Sequence, residues 1–110
     1  MAVTVVSVTS LSDAELLYLV VDVIVENVNR DEEAPYAPWL FSLRDSAGQD
    51  YEVSVFAPDP PLADGTLTKG ASDSGNVAFE ITPAAQGFVL TYDPTLFGGD
   101  YQVIQIDLGR

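Results

Sequence analysis

Apolar and polar residues alternate along most of this chain with a period of two. The longest example runs from residue 16 to 29, LLYLVVDVIVENVN. Taken alternately, Leu17, Leu19, Val21, Val23 and Val25 share one face, while Asp22 and Glu26 fall on the other. Val20, Val21, Val23, Ile24, Val25 and Val28 are β-branched, which disfavours a helix. A membrane-spanning helix needs about 18 uninterrupted apolar residues, and Asp22 interrupts this run. The stretch therefore reads as a long central strand. Its second face keeps Tyr18, Val20 and Ile24, which predicts partial cover on that side too.

The same period recurs elsewhere. VTVVSV (3–8) is a short β-rich run. WLFSLRD (39–45) places Trp39, Phe41 and Leu43 inward, opposite Ser42 and Arg44. YEVSVF (51–56) places Tyr51, Val53 and Val55 opposite Glu52 and Ser54. NVAFEIT (76–82) aligns Val77, Phe79 and Ile81. FVLTYD (88–93) follows a glycine, and YQVIQIDL (101–108) aligns Ile104, Ile106 and Leu108. Between them lie turn formers: DSAGQD (45–50), TPAAQG (82–87), DPTLFGGD (93–100), and the long Pro/Gly/Asp-rich segment 57–75. NRDEEAPYAP (29–38) is the other irregular connection. LSDAEL (11–16) predicts one helical turn, with Ser12 as cap and Glu15 three residues on.

About seven short strands with such turns predict one all-β domain over residues 1–110, an immunoglobulin-like antiparallel Greek-key sandwich. A closed barrel is the alternative. Trp39 is expected in the core. Asn27 or Asn29 ends the long strand and is expected to bond the backbone of the following turn. Asp45 and Gly48 should set a tight hairpin before Tyr51.

Charge changes the picture of partners. Seventeen acidic side chains face four basic ones, a formal net charge of -13. Nucleic acid requires a basic footprint, and an anionic membrane surface would repel this chain. Histidine and cysteine are both absent, which removes disulfides, thiolate nucleophiles, the usual zinc ligands and the Ser-His-Asp triad. No signal peptide is visible at the start of the chain. Either the protein is cytosolic or the chain is trimmed to its folded domain, and a family resemblance favours trimming.

Four pieces in order carry that resemblance: YLVVDVIVENVN (18–29), LFSLRDSAGQDY (40–51), LTKGASDSGNVAFEITPAAQGFVLTYDP (67–94) and VIQIDL (103–108). Together they resemble an uncharacterised immunoglobulin-like domain family of bacterial and archaeal secreted proteins and lipoproteins. That family is sometimes labelled after a telomeric repeat-binding factor. The pattern is also similar to the fold of a secreted mycobacterial immunogenic protein. The resemblance implies the sandwich fold and an extracytoplasmic setting, secreted or anchored at the cell surface. It implies no catalytic residues.

Three function classes follow. The first is a non-enzymatic binding or structural module for a neutral or cationic protein or peptide. Its surface would form from APYAPW (34–39) and VFAPDPP (55–61), with Tyr36, Phe56 and Phe97 as exposed aromatics and an acidic rim. Such a module would be a monomer or a weak homodimer through an edge strand. The second class is a calcium-stabilised adhesion module. Asp59, Asp64 and Asp73 in the long connection would supply oxygens, joined by Asp31, Glu32 and Glu33 from the other loop. The third is a small hydrolase that uses two carboxylates.

Overall fold

A computed structural model of the chain describes residues 1–13, 16–28, 33–95 and 102–110. Nine strands appear among the described residues: β1 (Ala2–Asp13), β2 (Leu16–Glu26), β3 (Ala34–Tyr36), β4 (Phe41–Arg44), β5 (Asp50–Glu52), β6 (Gly65–Leu67), β7 (Ser72–Ile81), β8 (Val89–Tyr92) and β9 (Ile104–Asp107). Three strands form one sheet in the order β1-β2-β7, and four form the other in the order β5-β4-β8-β9. All these pairings are antiparallel. A small ribbon, β3-β6, lies outside both sheets.

The chain passes from β2 to the opposite sheet for β4, returns for β7, and crosses again for β8. Consequently β2 pairs with β7 and β4 pairs with β8, partners far apart in sequence. This is the Greek-key arrangement of an immunoglobulin-like sandwich. The core joins both sheets: Leu19, Val21, Val23 and Val25 of β2 and Val77 and Phe79 of β7 face Phe41, Leu43, Leu90 and Tyr92. The Phe41 and Tyr92 rings lie 4.8 Å apart.

The strand predicted over 16–29 is present as β2, and its inward residues are those of the alternation. The second face is also covered. Tyr18 and Val20 pack with Ala78, Leu11 and Ala57 there, and the Phe56 ring sits 5.0 Å from that of Tyr18. Cover on both faces explains why β2 tolerates so little polarity.

Several expectations need correction. No helical turn opens at Leu11, because β1 continues to Asp13 in register with Leu16. Glu15 lies outside the described residues. Trp39 is not a core residue. Pro38 suits the first position of a helical turn, and Pro38–Leu40 form one turn of 3-10 helix. That turn resets the strand phase. Leu40 and Phe41 are both buried, while Trp39 is left 58% exposed. The strand predicted over 51–56 stops at Glu52, where the chain leaves for the other sheet and the Ser54 amide bonds Ala78. Val55 is consequently fully exposed rather than inward.

The chain beyond β5 crosses to the other sheet and seals its edge. The Ser54 amide donates to the Ala78 carbonyl (2.7 Å), the Asn76 amide to Pro60 (2.9 Å) and the Leu62 amide to Asn76 (3.0 Å). The Asn76 side chain donates to the Pro58 carbonyl at 3.1 Å. Residues 54–62 thus strap the outer edge of β7. Gly75 makes the close approach possible: a Cβ there would lie 2.5 Å from the backbone of Leu62, a distance no side chain tolerates.

Asn27 is fully buried at the end of β2. Its side chain donates to the Leu67 carbonyl (2.9 Å), and its backbone exchanges bonds with Ala71 and Gly70. It therefore clamps the β6–β7 connection, 40 residues away, while residues 29–32 of the turn that follows it lie outside the described residues. Asn29 lies outside the described residues.

Candidate functional site

Two segments that are distant in sequence build one apolar groove. Pro38 and Trp39 come from the 3-10 turn. Val53, Ser54, Val55, Ala57, Pro61 and Leu62 come from the strap, with Asn76 and Val77 from β7 at the floor. The groove encloses about 390 Å³. A second recess shares Trp39 and Val53 with it and is completed by Phe41, Ser42 and Glu52. Trp39 therefore lines both an apolar hollow and one that includes a carboxylate.

The two segments proposed for a sticky surface, 34–39 and 55–61, do meet. The individual residues differ in part from those expected. Tyr36 is buried, and its hydroxyl donates to an Asp73 carboxylate oxygen at 2.6 Å. Phe56 is exposed, as expected, with its ring turned towards Tyr18 on the outer face of the sheet. Phe97 lies outside the described residues. The apolar surface belongs to Trp39 and Val55, which strand alternation had assigned inward. One signal was legible: Pro38 immediately before Trp39 is a helix-start position, and a turn there would shift the phase.

The acidic residues do not assemble as expected. Asp59 and Asp64 are exposed in the connection between β5 and β6. Asp73 lies in β7, occupied by the Tyr36 hydroxyl and by the Ser74 amide at 2.9 Å. Its bond to Tyr36, then burial, then the charges of Asp73 and Asp64 push the Tyr36 hydroxyl up to about 12. Glu33 accepts from the Thr66 hydroxyl at 2.7 Å. Asp31 and Glu32 lie outside the described residues. Among the described residues no three acidic side chains form a group able to hold a metal.

Other carboxylates serve turns. Asp45 accepts from the Ala47 and Gln49 amides (2.9 and 3.0 Å) and from the Tyr51 hydroxyl (2.9 Å). Desolvation works to raise its pKa, but the bonds from Gln49, Tyr51 and Ala47 prevail and hold it below the ordinary value. The Arg44 guanidinium grips Asp50 with two bonds (2.6 and 3.1 Å) and lowers it. Thr95 lowers Asp93 through its hydroxyl and amide.

The chain matches, over residues 1–103, the family described as a domain of unknown function, DUF4352. It belongs to that family. The match supports the uncharacterised family foreseen in the sequence and not the telomeric repeat-binding label. No curated protein matches the chain. Among solved structures, this DUF4352 domain is similar to the yjhA protein of Bacillus subtilis. That likeness has a TM-score of 0.74 at 22% identity and covers 96% of this chain and 89% of that one. A putative lipoprotein of the same organism, ycdA, gives a TM-score of 0.73 at 22% identity. It matches 96% of this chain but only 35% of its own length. The secreted protein MPT63 of Mycobacterium tuberculosis gives 0.65 at 16% identity, over 83% of this chain and 72% of its own. These likenesses show the fold.

Proposed function

We propose that this DUF4352 domain is a non-catalytic, extracytoplasmic binding module that takes a neutral or cationic peptide segment into the Trp39 groove. The observation that carries the reading is Trp39 itself. It is 58% exposed beside a groove walled by Val53, Val55, Ala57 and Pro61. Burying a tryptophan would stabilise the fold, and aromatics dominate small cores. Left outside beside a shaped hollow, Trp39 has the character of an interface anchor. The net charge of -13 and Glu52 beside Trp39 select against acidic partners and nucleic acid.

Other observations support the remaining parts. A hydrolytic carboxylic acid needs a raised pKa, whereas Asp45, Asp50 and Asp93 are all held down by turn hydrogen bonds and Arg44. The extracytoplasmic setting draws on relatives described as a secreted protein and a putative lipoprotein. No helix among the described residues is long and apolar enough to cross a membrane.

Trp39 is the chain's single tryptophan, so its fluorescence reports occupancy of the groove directly. Titration with a library of apolar peptides with and without lysine or arginine should give a blue shift, strongest for cationic members and weaker at raised salt. Trp39→Ala should abolish binding measured by calorimetry. Emission that no peptide shifts, or binding that survives Trp39→Ala, would remove the groove from consideration.

A further inference from the structure

The three-stranded sheet has two long edges, and they end differently. The β7 edge is covered by residues 54–62 through the backbone bonds already described. At the other edge stands β1, 12 residues long, with β2 as its sheet partner. Residues 2–12 read AVTVVSVTSLS, with no charged side chain and no proline. Proteins usually blunt such edges with lysine, proline, shortness or a covering segment. The other sheet ends on β5 and β9, which are only three and four residues long. The one blunting device on β1 is a register shift between Val5 and Ser7. It leaves Val6 bulged and 55% exposed. Beyond it, Ser7–Asp13 pair with β2 in unbroken register, and among the described residues no other strand pairs with the outer edge of this arm.

We infer that β1 is a self-association edge. Two copies of this chain pair antiparallel through the arm from Ser7 to Ser12, which joins their three-stranded sheets into one continuous sheet. Charge argues for a second copy at this place. A chain of net charge -13 repels its own copies over most of its surface, and the uncharged arm of β1 is where that repulsion is weakest. A cationic partner would instead be drawn to the acidic loops. Antiparallel pairing is also self-complementary about a two-fold axis, so one contact satisfies both edges. The Trp39 groove borders β7 at the opposite edge. The inference is therefore independent of the binding proposal, and the groove stays open in the dimer.

Sedimentation equilibrium over a wide concentration range, at low and raised salt, tests it. The expected result is a monomer–dimer equilibrium that raised salt strengthens. Thr9→Lys combined with Ser10→Lys should weaken the dimer about tenfold or more with thermal unfolding unchanged. The chain has no cysteine, so single substitutions report proximity cleanly. In Ser7→Cys, Thr9→Cys, Ser10→Cys and Ser12→Cys, oxidation should link copies efficiently at the one or two positions nearest the two-fold. Disulfides form only where Cα atoms approach to about 7 Å. A monomer under every condition would overturn the inference. So would crosslinking no greater than that of Val55→Cys, or a dimer that Trp39→Ala dissolves while the lysine pair leaves it intact.

Discussion

The two edges of the β1-β2-β7 sheet show what a strand edge costs and how a chain can manage it. At β7, residues 54–62 cross from the other sheet and pair with the exposed backbone groups. That solution ties the edge to a loop and builds the Trp39 groove as a by-product. It also demands a glycine, because Leu62 lies against Gly75 at a distance that excludes a Cβ. At β1 no such strap is present among the described residues. The strand is long, uncharged and broken by one bulge. The sealed edge is thus rigidly specified and intolerant of change, whereas the bare edge is tolerant within the fold and available outside it.

The largest expected effect comes from unsealing β7. Gly75→Val forces the strap off the edge and should destabilise the domain by about 3 kcal/mol, at the upper end for overpacking. Hydrogen exchange should show β7 amides losing protection before those of β4. Next is Asn27→Ala, which strands the Leu67 carbonyl beneath the β6–β7 connection. Leaving a buried group unpaired costs about 1–3 kcal/mol, readable as a lower urea midpoint with an unchanged slope.

Tyr36→Phe should have a smaller effect, about 1 kcal/mol, since Asp73 keeps some access to water. This substitution also carries a pH signature. The Tyr36 hydroxyl has a folded-state value of about 12 against 10.0 when unperturbed. The folded state therefore holds the proton more tightly than the unfolded chain. Its contribution is complete below pH 10 and lost as pH rises through about 12. Alkaline titration of stability should show wild type and Tyr36→Phe converging across that window. If the gap between them stays constant to the end of the window, the bond to Asp73 is not what couples β3 to β7.

The smallest effects on stability should come from the bare edge and the groove. Thr9→Lys and Trp39→Ala should each leave unfolding within about 0.5 kcal/mol of wild type. A large loss from Thr9→Lys would mean that β1 is covered within its own chain, and the contrast between the two edges would collapse.

Much of this contrast was hidden from the sequence, for identifiable reasons. The β2 alternation was legible because five apolar residues in phase can satisfy only a strand. The phase changes were not. Val3 and Val5 pack on the core and then Val8 does, because the bulge at Val6 shifts the count by one. The same shift occurs at Pro38–Leu40, where a 3-10 turn exchanges Trp39 for Leu40 in the core. A period-two reading carries one phase to the end of each run, so it placed Trp39 and Val55 inward. Segments 34–39 and 55–61 were legible as a surface from their proline and aromatic content, although Ala34–Tyr36 forms β3. Which side chains face out depended on the turn.

By itself the sequence determined the longer strands in outline, their inward residues between phase breaks, the sandwich class and the net acidity of the chain. Those follow from local periodicity and composition, and each is readable within a few residues. Only the tertiary structure decided that Asn27 clamps the β6–β7 connection, that Tyr36 is spent on Asp73, that Gly75 admits the strap and that no described segment covers β1. Each of these depends on which distant segments approach one another, and hydrogen bonds between them leave no trace in the local pattern.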